Sequence, residues 1–202
     1  MNTKSTIKTS AITVLLLALT MFFSACEKDD SLISTSPASS PSADVMLKTI
    51  PPSVPALLEV PAGNEVSFHV YATGVQVYVC TETSPGVYAW VFTQPIANLY
   101  ANPGLNGFAG THYAGPTWES KSGSKVVGSK IEGVTVDPNA VQWLLLGAVS
   151  SQGPGILNGT TYIQRVNTVG GKAPATGANA STVGQEVQIP YTAEYYFYRQ
   201  AD

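Results

Sequence analysis

Charge is scarce in this sequence: Asp, Glu, Lys and Arg make up 11% of its 202 residues, against about 25% in an ordinary soluble protein. From Lys48 to the end there are seven Lys/Arg against nine Asp/Glu, a net of −2 with no basic cluster. Phosphate binding needs a positive face, so nucleic acid is not expected as a partner. Histidine and cysteine are just as rare, with two of each. The spacing of His69, His112 and Cys80 matches no zinc pattern, and neither a metal nor a cofactor is expected. There is no G-x-S-x-G elbow to present a nucleophilic serine and no repeat of fixed period, which argues against a solenoid or propeller. The longest apolar stretch, Ala11 to Phe23, has 13 residues, whereas a membrane-crossing helix needs about 20.

That stretch has another reading. Lys4 and Lys8 precede it and Ser24-Ala25-Cys26 follows it. A basic segment, a short apolar core and small residues before a cut describe a secretory signal peptide over 1–25. The cysteine at the cut is similar to that of bacterial lipoproteins, although Phe23 stands where an aliphatic residue is usual; cleavage as an ordinary signal peptide is the alternative. A lipidated Cys26 would carry about three acyl chains, and each buried methylene contributes about 0.8 kcal/mol, so the anchor would be permanent. Glu27, Lys28, Asp29 and Asp30 form an acidic start that resembles export signals of surface-displayed lipoproteins. The expected partner is therefore a membrane, reached through Cys26, and the expected location is the outer membrane, facing the exterior; inward-facing attachment is the alternative. Ser, Pro and Ala dominate the stretch that follows, so 26–47 reads as an acidic start and a tether that cannot build a core.

Residues 48–202 fit one domain. In "EVSFHVYATGVQVYVC", Val66, Phe68 and Val70, then Val75, Val77 and Val79, alternate with polar or aromatic residues. Thr73-Gly74 is read as a hairpin turn, which would set His69 opposite Tyr78 and Ser67 opposite Cys80. "GVYAWVFTQP" reads as a strand buried on both faces, and "SKVVGSKIEGVTV" and "EVQIPYTAEYYFYR" as further strands. The apolar run 140–149 fits a strand or a buried helix, with its neighbours favouring a strand. Turns about every ten residues predict an all-β fold, a single antiparallel sandwich or partly closed barrel.

Candidate site residues cluster in "GTHYAGPTWES". Gly115-Pro116 suits the centre of a type II′ turn. Tyr113 would then face Trp118, and His112 would face Glu119 on the opposite side of the hairpin. With His69, these four are the expected ligand-facing residues. Ten tyrosines and three tryptophans favour a binding module, with carbohydrate as a possible ligand because aromatic faces stack on sugars; a purely structural role stands beside it. An acid/base hydrolase of an extracellular polysaccharide is the alternative, drawing on Glu119, Glu132, Asp137 and Glu194. No catalytic residue is assigned, and Glu194 is expected to pair with Arg165.

"VPAGNEVSFHVYATGVQVYVC", "WVFTQPIANLY", "GTHYAGPTWESKSGSKVVG", "WLLLGAVSSQGPGILNGTTYIQRVNTVGGKAPATG" and "IPYTAEYYFY" together resemble the family catalogued as domain of unknown function 3455. The resemblance covers nearly all of 51–199 and implies a small secreted β-rich protein without implying an activity. Some relatives carry a dehydrogenase label, but "GPGILNG" is followed by strand-like Thr160-Thr161-Tyr162-Ile163 and not by a helix that could hold a pyrophosphate. It reads as a hairpin connection. Relatives often have a cysteine just after "PATG", where this chain has Gly177-Ala178, so the resemblance implies that Cys80 has lost its partner and is a buried free thiol.

Overall fold

The computed structural model describes residues 49–202. The signal peptide, Cys26 and the tether lie outside the described residues. Eight antiparallel strands follow one another: β1 (Asn64–Ser84), β2 (Val87–Tyr100), β3 (Phe108–Tyr113), β4 (Thr117–Ser120), β5 (Lys125–Val134), β6 (Trp143–Gln152), β7 (Thr160–Gly170) and β8 (Glu186–Gln200). Each pairs with its sequence neighbours and β8 pairs back onto β1, so a single sheet closes into a barrel. The run 140–149 contributes a strand, and Gly153 to Gly159 connects β6 to β7.

β1 does not turn at Thr73-Gly74. It runs straight through, because Gly74 serves close approach and not reversal. A Cβ there would lie 2.1 Å from the Ile96 carbonyl oxygen and 2.5 Å from the Ala97 Cα of β2. Without a turn, the two-residue period keeps its phase, and Phe68, Val70, Ala72, Gln76 and Tyr78 share the inner face. His69 therefore stands opposite Tyr196 of β8, and Cys80 opposite Trp90 of β2, in place of the expected Tyr78 and Ser67.

Inward residues of β1, β2 and β4 to β8 fill the barrel around Trp118, Tyr195, Phe197 and Ile163, while Leu157 from the β6–β7 connection is fully buried with them and closes one end. Outside, Val66, Val166, Tyr196 and Tyr198 pack under the segment before β1, where Val54 and Val60 cover them. Gln164 Nε2 fixes that segment by donating to the Leu58 carbonyl at 2.6 Å.

At the other end the wall is uneven. β1, β2 and β8 run on as a long ribbon, whereas β3 has six residues and β4 four. The upper part of β2 is thus not buried on both faces as expected: Val87, Val91 and Phe92 are exposed, since they pair with β1 alone and β3 does not reach them. The β7–β8 connection folds back against this ribbon. Trp90 Nε1 donates to the Thr176 carbonyl, Tyr78 to that of Gly171, and Cys80 N to that of Gln185. Cys80 is a buried free thiol, with its sulfur 3.3 Å from Thr182 Oγ1 and 3.8 Å from the Asn179 carbonyl. The Gly177-Ala178 step implied by the resemblance as the place of a missing cysteine directly precedes Asn179.

Candidate functional site

The β3–β4 hairpin closes one residue away from the expected register. Tyr113 pairs with Thr117, His112 with Trp118 and Thr111 with Glu119, leaving a three-residue loop. Side-chain bonds hold this register: Thr117 Oγ1 donates to the Ala114 carbonyl at 2.9 Å and His112 Nδ1 to the Thr117 carbonyl at 2.8 Å. The Pro116 carbonyl is taken by Gly128 N of β5. A slip of one residue exchanges faces. His112 and Trp118 point inward and stack, with ring centres 4.3 Å apart.

Tyr113 and Glu119 share the outer face, where the Tyr113 hydroxyl donates to Glu119 at 2.8 Å and Lys125 pairs with the same carboxylate at 3.2 Å. The bond from Tyr113, together with Lys125, lowers the Glu119 pKa. His69 is on β1, outside the barrel, where it stacks on Tyr196 and meets Glu194 at 2.8 Å. Glu194 bonds to His69, Asn167 and Tyr196 and not to Arg165, which lies on the inner face. The five expected ligand-facing residues are thus not one site. A groove of about 190 Å³ borders Glu194, smaller than the roughly 300–1,000 Å³ of small-molecule sites.

His112 and Trp118 instead form the floor of a cavity of about 800 Å³ at the end of the barrel away from Leu157. The hairpin β3–β4 and the β5–β6 and β7–β8 connections contribute Pro116, Gln142 and Lys172 to its lining, and the short β3 and β4 leave it open. Its walls include Phe92, Val141, Leu144 and Leu146. Two lining residues carry buried donors: Trp118 Nε1 has no hydrogen-bond partner, and the Gln76 amide has the Tyr191 hydroxyl beside it. Each residue is 1% exposed.

Burial pushes the His112 pKa down to about 3, with the neighbouring Arg165 charge acting in the same direction and the Thr117 bond against it. The imidazole is therefore neutral. Because Nδ1 donates to Thr117, Nε2 is left as an acceptor. The expected pairing with Glu119, which would have favoured the imidazolium, does not exist. Burial also raises the phenol pKa values of Tyr191 and Tyr195, so both hydroxyls stay protonated. Arg165 gives Nε and Nη2 to the Gln142 carbonyl at 3.0 and 2.9 Å.

Gln76, Gln142, Arg165, Lys130 and Lys172 were not among the expected site residues. Gln76 carried the one legible signal, a polar residue in an otherwise apolar run whose phase depends on β1 being unbroken. Among the described residues no group of three or more His, Cys, Asp or Glu could hold a metal ion. A family model described as protein of unknown function (DUF3455) matches residues 61–199. No curated protein and no solved structure matches the chain.

Proposed function

The chain belongs to the family of proteins of unknown function DUF3455, and from that premise, which supplies no activity, we propose that it is a binding module that takes a small organic ligand into the open end of the barrel. The cavity carries this reading, together with a buried donor that has no partner, Trp118 Nε1, on one of its lining residues. Leaving a buried donor unsatisfied costs about 1–3 kcal/mol. An apolar cavity with a few placed polar groups is the usual form of a small-molecule site.

The polysaccharide-hydrolase alternative finds less support. None of Glu119, Glu132, Asp137 and Glu194 lines the cavity. Glu119 and Glu194 are engaged as described; Glu132 accepts from Gly133 N and Asp137 from Asn139 N. For a sugar ligand the Trp118 ring is already taken by stacking on His112, so Phe92, 48% exposed at the rim, is the aromatic face best placed to stack on it.

Calorimetric titration of the full chain with naphthalene-based probes tests the reading. Binding should occur and should weaken at least about tenfold in Ala173→Trp, which places a large ring in the cavity from a loop. A ligand at 100 times its dissociation constant should raise stability by about 2.7 kcal/mol. Failure of every probe to bind, or binding indifferent to Ala173→Trp, would remove the proposal.

We also propose that this module is held at the outer membrane, facing outward, by lipid on Cys26. The order of basic residues, short apolar core, Ser24-Ala25-Cys26 and acidic start supports this. Mass spectrometry of the native protein should find acyl chains on Cys26 and none in Cys26→Ser. An unmodified Cys26 in membrane-associated protein would contradict it.

A further inference from the structure

We propose that the ligand of this cavity is an organic anion, a carboxylate or a phosphate ester on an apolar body, with its charged group held by Arg165. The inference rests on the cavity being a ligand site, and adds the ligand's chemistry. Among the described residues three cationic ones, Arg165, Lys130 and Lys172, line the cavity, and no Asp or Glu does. This is not a consequence of composition, because the chain carries a net charge of −3.

None of the three has a carboxylate partner. Lys130 donates to Gln142 Oε1 and Lys172 to the Pro138 carbonyl. The salt bridges of the described residues involve His69, Lys125 and Arg199 instead. Arg165 is half-buried, and a cation removed from water is costly unless it is paired. Its two bonds to the Gln142 carbonyl fix the guanidinium plane but offset none of its charge. A guanidinium has five N–H donors in a rigid fork that suits a carboxylate or phosphate, so donors are left over beyond those two bonds and the one to the Tyr195 hydroxyl.

No other lining group supplies the missing negative charge. His112 is neutral, the Tyr195 hydroxyl is protonated, and the Gln76 amide and the Trp118 indole are uncharged. Electropositive donors thus stand beside the apolar side chains of Phe92, Val141, Leu144 and Leu146. That combination fits an acidic head and a hydrophobic body.

Calorimetry on the full chain with 2-naphthoate, 2-naphthyl phosphate and 2-naphthalenemethanol tests the inference, since the three share a ring system and differ in charge. At least one anion should bind about tenfold or more tightly than the alcohol, the range expected of a hydrogen bond to a charged group. The tighter of the two identifies the head group. Arg165→Met should erase the preference for the anions over the alcohol. Because that variant also loses the bonds to Gln142, its melting is measured beside it; the double variant of exposed Lys130→Met and Lys172→Met should weaken the anions alone. Equal affinity for all three probes, unchanged in both variants, would overturn the anion inference and leave the binding module standing. Absence of binding by all three would count against the binding module itself.

Discussion

Gly74→Ala is expected to abolish the native barrel. The added methyl would sit 2.1 Å from the Ile96 carbonyl oxygen and 2.5 Å from the Ala97 Cα. Both are backbone atoms of β2, so no rotamer change relieves the clash and the β1–β2 ladder must part. Strand pairing there supports the wall on which Gln76 and Ala97 sit. A cost above about 4 kcal/mol places the substitution in the rare severe class, against a total stability of about 5–15 kcal/mol for most domains. Gly110→Ala should behave alike, because its Cβ would lie 2.1 Å from the Glu119 carbonyl oxygen. Gly86→Ala is a useful contrast: its φ is +74° but nothing lies within 4 Å, so only conformational strain of about 1 kcal/mol is added. Chemical denaturation followed by circular dichroism measures all three. A Gly74→Ala midpoint equal to that of the parent would show that β1 and β2 do not approach as described.

Acid should destabilise the protein through His112. In the unfolded chain this residue titrates near its ordinary value of 6.5; in the barrel its pKa is pushed down to about 3 by burial. Between these values the unfolded chain binds a proton that the folded one does not, so stability rises with pH across that window. The contribution is complete above about pH 6.5 and is lost progressively as pH falls towards 3. A shift of this size corresponds to a few kcal/mol at most. His112→Asn retains a side-chain N–H for the Thr117 carbonyl without a titrating group, and should flatten the stability profile between pH 6.5 and 4. An unchanged slope in the variant would assign acid sensitivity to the carboxylates instead.

The strands were legible because alternation and turn residues survive in the sequence wherever one face is buried. β5 and β8 are examples, whereas β6 lies in an apolar run that only its neighbours favoured as a strand. Two local readings failed for one physical reason, that residues favouring a turn also serve other purposes. Gly74 permits contact between strands, and at Gly115-Pro116 the bonds of Thr117 and His112 choose a three-residue loop over a two-residue one. That single slip moved Glu119 outside and brought His112 onto Trp118. The cavity could not be read at all. It depends on β3 and β4 being shorter than the ribbon beside them, and on Arg165 lacking the Glu194 partner that its sequence neighbourhood suggested.

The pairing of β1 with β8 joins the beginning of the domain to its end, from Asn64 opposite Gln200 to Val79 opposite Glu186. Arg199 donates to Glu65 across the same junction. No intermediate lacking β8 can close, so most of the chain must be ordered before the longest-range contacts form, which makes folding slow for a protein of this size. Until that moment β1 and β7 each present an unpaired edge, the kind of surface that recruits another chain. Loss of residues 186–202, which include the fifteen of β8, would therefore open the closed sheet along β1 and β7, and self-association would be the expected fate of the truncated chain.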